Sequence, residues 1–149
     1  MARQLRIEYE GALYHVLSRG NDGRSIFLDD KDRCLFLEAL FQLSHRFEID
    51  ICAYVLMTTH YHVLLETKRA NLSREACNGL LRPIPRRFNV RHKRSGHLFQ
   101  GRFMGILVED DSYLMKLSCY IHRNPLRAHM VKRLNELSME QLQGLCLRW

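Results

Sequence analysis

Two histidines spaced two residues apart, His60 and His62, are the residues whose types and spacing most directly suggest chemistry. They lie in the run THYHVLLE (59–66), which otherwise has the apolar character of a buried β-strand. Side chains alternate between the faces of a strand, so the two imidazoles share a face and lie about 7 Å apart along it. At that spacing both imidazoles can bind one divalent cation. The alternative, which is at least as common, is a structural pair of histidines that are packed or hydrogen-bonded and bind no metal.

A tyrosine and an asparagine later in the chain are suited to complete such a site. Tyr120 and Asn124 are four residues apart in a predicted helix, which places both on one helix face. An amide or carboxylate oxygen, from Asn124 or Glu66, is a ligand suited to Mg²⁺ or Mn²⁺, and a phenol beside a cation-bound phosphate is a possible nucleophile. Ordinary structural roles are the alternatives: Tyr120 as an anchor of the helix, and Asn124 as its cap before Pro125. Tyr113 is a competing tyrosine.

The elements that must position these side chains follow the order β-α-β-β-α-β, with a further helix after them. Thr58 and Thr59 form so short a link that the strands on either side must pair as an antiparallel hairpin. This order predicts an α+β fold, a ferredoxin-like sandwich with an antiparallel sheet and an added C-terminal helix that carries the tyrosine. The predicted elements are strands at 11–18, 50–57, 60–67 and 98–108, a helix capped by Asp29 or Asp30 and ending at 46–48, a second helix opening at 71–75, and a third at 113–124.

Two local patterns lead to further expectations. Residues 50–57 are apolar on both faces, which is typical of a central strand covered on both sides. Pro83 and Pro85 fall where the second helix is expected to continue, and a proline in a helix interior costs about 3 kcal/mol. The second helix must therefore stop, kink or restart there.

Composition limits the class of protein. The 149 residues are enough for one domain, and the formal net charge is +7 with basic residues clustered at 82–94 and again at 123–133. Such clusters indicate either a nucleic-acid partner or a solvated basic face. The odd number of cysteines without a Cys-x-x-Cys pair fits a reducing cytosol. With neither a signal peptide nor an apolar run of about 20 residues, we expect a soluble, cytoplasmic protein without membrane contact.

A set of short blocks resembles one known family. The chain looks like the HUH single-tyrosine transposases and is most similar to the REP-associated tyrosine transposases. A lone His-x-His is a weak motif, whereas the ordered set, which extends to about Val131, is specific. The blocks are MARQLRIEYEGA (1–12), YHVLSRGN (14–21), IFLDD (26–30), YVLM (54–57), HYH (60–62), GHLFQGRF (96–103) and YIHRNPLRA (120–128).

The resemblance implies a mechanism and a partner. His60, His62 and Asn124 match the residues that hold a divalent metal ion, Mg²⁺ or Mn²⁺, in this family. Tyr120 matches the nucleophile that cleaves single-stranded, hairpin-forming DNA and forms a 5′-phosphotyrosine, in a monomer or a homodimer. The resemblance also implies a catalytic domain at 1–131 followed by a divergent tail at 132–149. The expected DNA contacts are Arg19, Arg102, Arg123 and Arg127.

Three departures from the family pattern support a rival hypothesis. Thr58 and Thr59 replace the usual Pro-Asn, Pro83 and Pro85 interrupt the second helix, and the sequence after Val131 diverges. The rival is a catalytically inactive transposase remnant that only binds structured single-stranded nucleic acid. An RNA-binding ferredoxin-like domain is a third hypothesis, but it requires exposed aromatic residues on two central strands, for which the sequence offers few candidates.

Overall fold

In the part of the chain that the structure describes, four antiparallel strands form one sheet in the order β2-β3-β1-β4. This strand order is that of the predicted ferredoxin-like α+β fold. The computed structural model describes residues 8–70 and 83–109, together with Lys116, Leu117, Cys119, Tyr120 and Arg123. The elements are β1 (Ala12–Arg19), α1 (Asp30–Phe47), β2 (Ile49–Leu56), β3 (His60–Thr67), α2 (Pro83–Arg91) and β4 (Met104–Leu107), with a 3₁₀ turn at Asn21–Gly23.

The two faces of the sheet have different coverings. One face packs beneath α1 and α2 and forms the main core, with Tyr61 fully buried against Phe36 of α1 at a ring-centroid distance of 4.7 Å. On the opposite face Leu64 packs with Ala53 and with Leu117, which is helical. His60 and His62 share this second face with Leu64, because strand side chains alternate. The predicted hairpin is confirmed, since β2 and β3 pair antiparallel on either side of Thr58 and Thr59.

Helix α1 begins and ends where the sequence predicts. The Asp29 side chain accepts a hydrogen bond from the backbone N–H of Asp32 at 3.0 Å, which satisfies one of the free donors of the first turn. Glu48 ends the helix in the left-handed region at φ 53°, and its N–H donates to the carbonyl of Ser44. The helix is thus fixed at both ends.

Helix α2 contains both prolines of the predicted interruption. Pro83 and Pro85 lie in the first described turn of this helix. Ile84 and Phe88 bury their side chains in the main core. The prolines are therefore compatible with a helix that packs normally after them.

Two expectations about the sheet are wrong. Residues of β2 do not form a central strand, because β2 is at the edge of the described sheet and only β3 pairs with it. The side chains of β2 are partly buried and partly half-buried. The pairing with β3 also shifts register between Ile51 and Ala53, so that Cys52 forms a β-bulge.

The fourth strand is also shorter than the predicted 98–108. Leu98 and Phe99 are buried, but they lie in the irregular segment before β4 and not in a regular strand. Phe99 forms only an isolated bridge to Gly20, and regular pairing begins at Met104.

Several predicted features lie outside the described residues. They are the start of the second helix at 71–75, Asn124, Arg127, the cap of the third helix with Tyr113, and the tail at 132–149. The proposed boundary at residue 131 stays a prediction. Within the described ranges, no helix has the length and apolarity that crossing a bilayer requires.

Candidate metal and nucleophile site

The turn before His60 is held in place by the loop that follows β1. The N–H of Gly20 donates to the carbonyl of Thr59 at 2.7 Å, and the N–H of Ile26 donates to the carbonyl of Thr58 at 2.8 Å. These bonds satisfy backbone groups that the hairpin itself leaves free. His60 therefore begins β3 from a fixed position, and His62 follows on the same face.

A third histidine joins the predicted pair. His15 of β1 lies diagonally across from His62, because the register pairs Leu17 with His62 and His15 with Leu64. The His15 Nε2 is 2.9 Å from the His62 Nδ1, and the two rings lie edge to edge with centroids 5.1 Å apart and planes inclined by 23°. Both histidines are only 5% exposed. The rings of His60 and His62 meet edge to face at 5.2 Å, so three imidazoles form one contiguous group.

Burial keeps these imidazoles neutral. Desolvation, with smaller contributions from His15 and His60, lowers the pKa of His62 to about 4. Desolvation also lowers the pKa values of His15 and His60. A neutral imidazole is the form with a lone pair, which is the form that binds a cation.

Tyr120 packs on this histidine group. Its ring meets that of His62 edge to face with centroids 5.6 Å apart, and the side chain is 40% exposed. Leu117, three residues earlier, is buried against Leu64 and Ala53 on the same sheet face. The apolar contact thus brings the Tyr120 phenol to the histidines while leaving it accessible from solvent.

The donor atoms fit part of a metal site. Nδ1 of His60 is engaged by Thr59 Oγ1 at 3.0 Å and Nδ1 of His62 by His15, whereas the buried Nε2 of His62 has no hydrogen-bond partner among the described residues. When the His62 proton is on Nδ1, the Nε2 lone pair is available to a cation. Within residues 8–70 and 83–109 and the five described helical residues, no three His, Cys, Asp or Glu side chains converge as a complete ligand set. Two imidazoles therefore need additional oxygen ligands.

Of the two predicted oxygen ligands, Glu66 is badly placed. It lies four residues after His62 on β3, about 13 Å along the strand, and it pairs with Leu13 and Asp50. Its carboxylate acts on Cys52 instead: burial, followed by the carboxylates of Glu66 and Asp50, raises the pKa of that thiol to about 11. Asn124 lies outside the described residues.

The predicted DNA contacts are exposed where they are described. Arg19 is at the end of β1, directly opposite His60, and its Nε donates to the Gln100 side chain. Arg102 and Arg123 are exposed, the first in the loop before β4 and the second in helical conformation. Arg127 lies outside the described residues. Arg19 is therefore the predicted contact whose position beside the histidines is defined by strand register.

Part of the basic segment has an internal role. Arg91 of α2 forms ion pairs with Asp29 and Asp32 of α1, and Arg87 lies 3.6 Å from Glu38. Hydrogen bonds to Asp29 and Asp32 raise the pKa of Arg91, against an opposing effect of desolvation. Not all of the basic residues clustered at 82–94 are therefore available to bind a polyanion, because Arg87 and Arg91 are paired with carboxylates of this chain.

The sequence interpretation missed the roles of His15 and Thr59. A histidine at an inward position of an apolar strand is the same pattern that identified His60 and His62. Its significance depends on the β1–β3 register, which sequence periodicity does not supply. For Thr59 the sequence predicts the hairpin link and a departure from the family pattern, but not the contact of its hydroxyl with His60.

Comparisons with known proteins agree with this fold. Residues 8–124 match the sequence profile of the family described as Transposase IS200 like. No curated protein matches the chain. A solved REP-associated tyrosine transposase bound to a REP hairpin is 18% identical, with a TM-score of 0.73 over 92% of this chain and 80% of that one. A protein from Deinococcus radiodurans R1 assigned as a transposase is 13% identical, with a TM-score of 0.56 over 80% of this chain and 95% of that one.

Proposed function

We propose, from the premise that this chain belongs to the IS200-like transposase family, that it cleaves and rejoins single-stranded DNA with Tyr120 as nucleophile. The observation that carries the proposal is the edge-to-face contact of Tyr120 with His62 on the sheet face that also bears His60. This contact joins a phenol to a pair of neutral imidazoles at a partly exposed position. DNA that forms hairpins is the proposed substrate, as in the REP-associated tyrosine transposase whose structure holds a REP hairpin.

The proposed reaction is a transesterification. The Tyr120 Oη attacks a backbone phosphorus, the bond from phosphorus to the 3′ oxygen breaks, and the DNA 5′-phosphate becomes joined to the tyrosine. The phenol proton passes to solvent, and the departing 3′ oxygen takes up a proton to become a hydroxyl. Attack by a 3′-hydroxyl on the phosphotyrosine reverses the sequence, so strands can be rejoined without an external energy source.

The proposed cofactor is Mg²⁺ or Mn²⁺, held by His60 and His62 with Asn124 as the third protein ligand. Such a cation, when bound, neutralises and orients the scissile phosphate. His60 and His62 contribute neutral nitrogen donors, while the packing of Leu117 holds the Tyr120 helix against the sheet. Arg19 is suited to bind a neighbouring phosphate, since it is exposed beside His60.

An inactive remnant that only binds hairpins is the alternative function. One reason to favour it was the pair of prolines, yet Pro83 and Pro85 lie in the first described turn of a helix that packs in the core. The changed link at Thr58 and Thr59 likewise preserves a hairpin and supplies a hydrogen-bond partner for His60. Both departures are therefore compatible with an intact site.

Covalent capture of DNA tests the proposal. Because tyrosine becomes joined to the 5′-phosphate of the downstream fragment, a 3′-end label stays on the protein and a 5′-end label is released. A pool of hairpin oligonucleotides with randomised flanks is incubated with Mn²⁺ or with EDTA, and the products are separated under denaturing conditions. We expect a 3′-labelled adduct with wild type, and none with EDTA, Tyr120→Phe or His62→Ala.

Two controls sharpen that experiment. His45→Ala removes an exposed histidine of α1, away from the sheet face that bears His62, and should form the adduct as wild type does. Tyr113→Phe tests the competing tyrosine and should also form it. An adduct with Tyr120→Phe equal to that of wild type contradicts the proposed nucleophile. Hairpin binding by every variant without any adduct favours the remnant.

A further inference from the structure

The two proposed ligands share one hydrogen-bonding pattern. Nδ1 of His62 faces Nε2 of His15 at 2.9 Å, and Nδ1 of His60 faces Oγ1 of Thr59 at 3.0 Å. In each case the nitrogen turned toward the protein is Nδ1. Metal-bound histidines commonly donate their remaining N–H to such an outer partner, which fixes the tautomer and ring orientation.

The His15–His62 bond has two possible proton arrangements. If His15 Nε2–H donates, His62 carries its proton on Nε2 and has no lone pair there for a cation. If His62 Nδ1–H donates, His15 is the acceptor, and the His62 Nε2 lone pair remains available. Either arrangement leaves one donor and one acceptor of this histidine pair without a partner among the described residues, because His15 Nδ1 and His62 Nε2 are both buried and unpaired. A cation at Nε2 is compatible only with the second arrangement.

Resting on the cation site of the proposed function, we propose that His15 and Thr59 are positioning residues. Each accepts the Nδ1–H of its ligand, His15 from His62 and Thr59 from His60, so that both Nε2 lone pairs are held ready for the same divalent cation. Neither residue touches the cation or the DNA in this role.

The surroundings of His15 favour a specific role over simple filling of space. It is buried on a strand between apolar neighbours, and its ring lies edge to edge with that of His62, with the two planes inclined by only 23°, as an N–H···N hydrogen bond requires. An apolar side chain would fill this space without leaving a buried ring nitrogen unpaired. Thr59 is fixed as well, because its carbonyl accepts from Gly20 N–H. Thr59 stands where the family pattern has asparagine, so its hydroxyl is a feature of this chain.

Cation affinity measured without DNA is the first test. Mn²⁺ binding is followed by electron paramagnetic resonance for wild type and for paired variants. His15→Phe keeps a ring but removes the acceptor, and we expect the dissociation constant for Mn²⁺ to rise about 10–100-fold. His15→Gln can offer a carbonyl acceptor and should stay within a few-fold of wild type. Leu13→Val, on the same strand face but outside the histidine group, should leave affinity unchanged.

A matched pair tests the second residue. Thr59→Val removes the hydroxyl at nearly constant volume, whereas Thr59→Ser keeps it. We expect weaker Mn²⁺ binding in the valine variant alone, and by a smaller factor than in His15→Phe because water can reach the half-buried His60. Equal affinities for the valine and serine variants contradict the role of Thr59.

Histidine tautomers provide a readout that does not depend on the variants folding. In wild-type protein labelled with ¹⁵N-histidine and saturated with Mg²⁺, long-range ¹H–¹⁵N correlations should show His15 and His62 both protonated at Nδ1. A proton on Nε2 of His15 overturns the inference. If Mn²⁺ binding is lost in His62→Ala but unchanged in His15→Phe, the inference fails while the proposed cation site stands. If wild type binds no Mn²⁺, the cation site fails, and the inference fails with it.

Discussion

The ring of Tyr120 stands at 89° to the ring of His62, and their centroids are 5.6 Å apart. This contact joins a helix late in the chain to the strand that follows the hairpin link. The edge of an aromatic ring against the face of another is a favourable arrangement, so it both stabilises the docking and determines where the phenol lies. The candidate nucleophile and the candidate ligand are thereby neighbours in a single chain.

Loss of one positive charge beside His60 should weaken DNA binding without changing its sequence preference. Arg19→Ala is expected to weaken binding to all hairpins about equally, and to reduce the slope of log K against log salt by about one. Fluorescence anisotropy at several salt concentrations measures both. Lys31→Ala removes the same charge from an exposed position on α1 and is the control. Equal losses in the two variants contradict a phosphate contact by Arg19.

Without a cation, the stability of the protein should depend on pH between about 4 and 6.5. The pKa of His62 is lowered to about 4 from an ordinary 6.5, so between these values the unfolded chain holds a proton that the folded chain does not. The free energy of unfolding must therefore fall as pH falls through that window, by on the order of 2 kcal/mol. Urea titrations in EDTA measure it. His62→Gln should flatten the dependence, and a slope equal to that of wild type contradicts the assignment.

The ion pairs between α1 and α2 should stabilise the helix layer. Asp32 is buried and accepts from the Leu28 N–H at 2.9 Å, from Arg91 and from His92. Asp32→Asn leaves part of this network unpaired and should lower the free energy of unfolding by about 2–3 kcal/mol in urea titrations at pH 7. Asp30→Asn makes the same charge change at an exposed site of the same helix and should change it by less than about 0.5 kcal/mol. Equal effects contradict the role of the network.

The same carboxylates set a separate response to acid. Hydrogen bonds from Arg91 and from the Asp32 N–H lower the pKa of Asp29 to about 2 from 3.8. Burial raises the pKa of Asp32, but the bonds from Leu28, His92 and Arg91 outweigh it and hold that pKa below its ordinary value. The stabilisation is thus complete above about pH 4 and is lost as pH falls toward 2. Circular dichroism across this range should show a shallower acid transition in Asp32→Asn than in wild type.

Gly20 should not tolerate a side chain. Its φ of −62° is open to any residue, but a Cβ would meet the backbone carbonyl oxygen of Arg24 far inside contact distance. Gly20→Ala must displace the loop that holds Thr59, and should lower the free energy of unfolding by about 1–3 kcal/mol. Gly101→Ala meets nothing within 4 Å and is the control. Urea denaturation compares the two, and equal stabilities contradict the steric argument.

The local elements of the fold follow from local chemistry. Asp29 caps α1 as predicted because a short acidic side chain reaches a free N–H three residues on, a preference that needs no tertiary contact. The strand at His60–Thr67 was predicted from its apolar run, and its hairpin link from the two-residue connection. The predicted strand at 98–108 was too long, because regular pairing with β1 is limited to Met104–Leu107 and that limit depends on a distant strand.

Residue types and spacing determined that His60 and His62 share a face and that Tyr120 lies on a helix, because alternation and helical periodicity are properties of the backbone alone. Alternation and helical periodicity do not determine whether an apolar strand lies at the centre or at the edge of a sheet. The strand β2 was predicted to be central and lies at the edge of the described sheet. Register across β1 and β3 brought His15 to His62, and packing of Leu117 brought Tyr120 to the same ring. Contacts between segments far apart in the sequence determine which side chains lie next to one another. The tertiary structure, and not the local sequence pattern, therefore places these two histidines and the tyrosine in one candidate site.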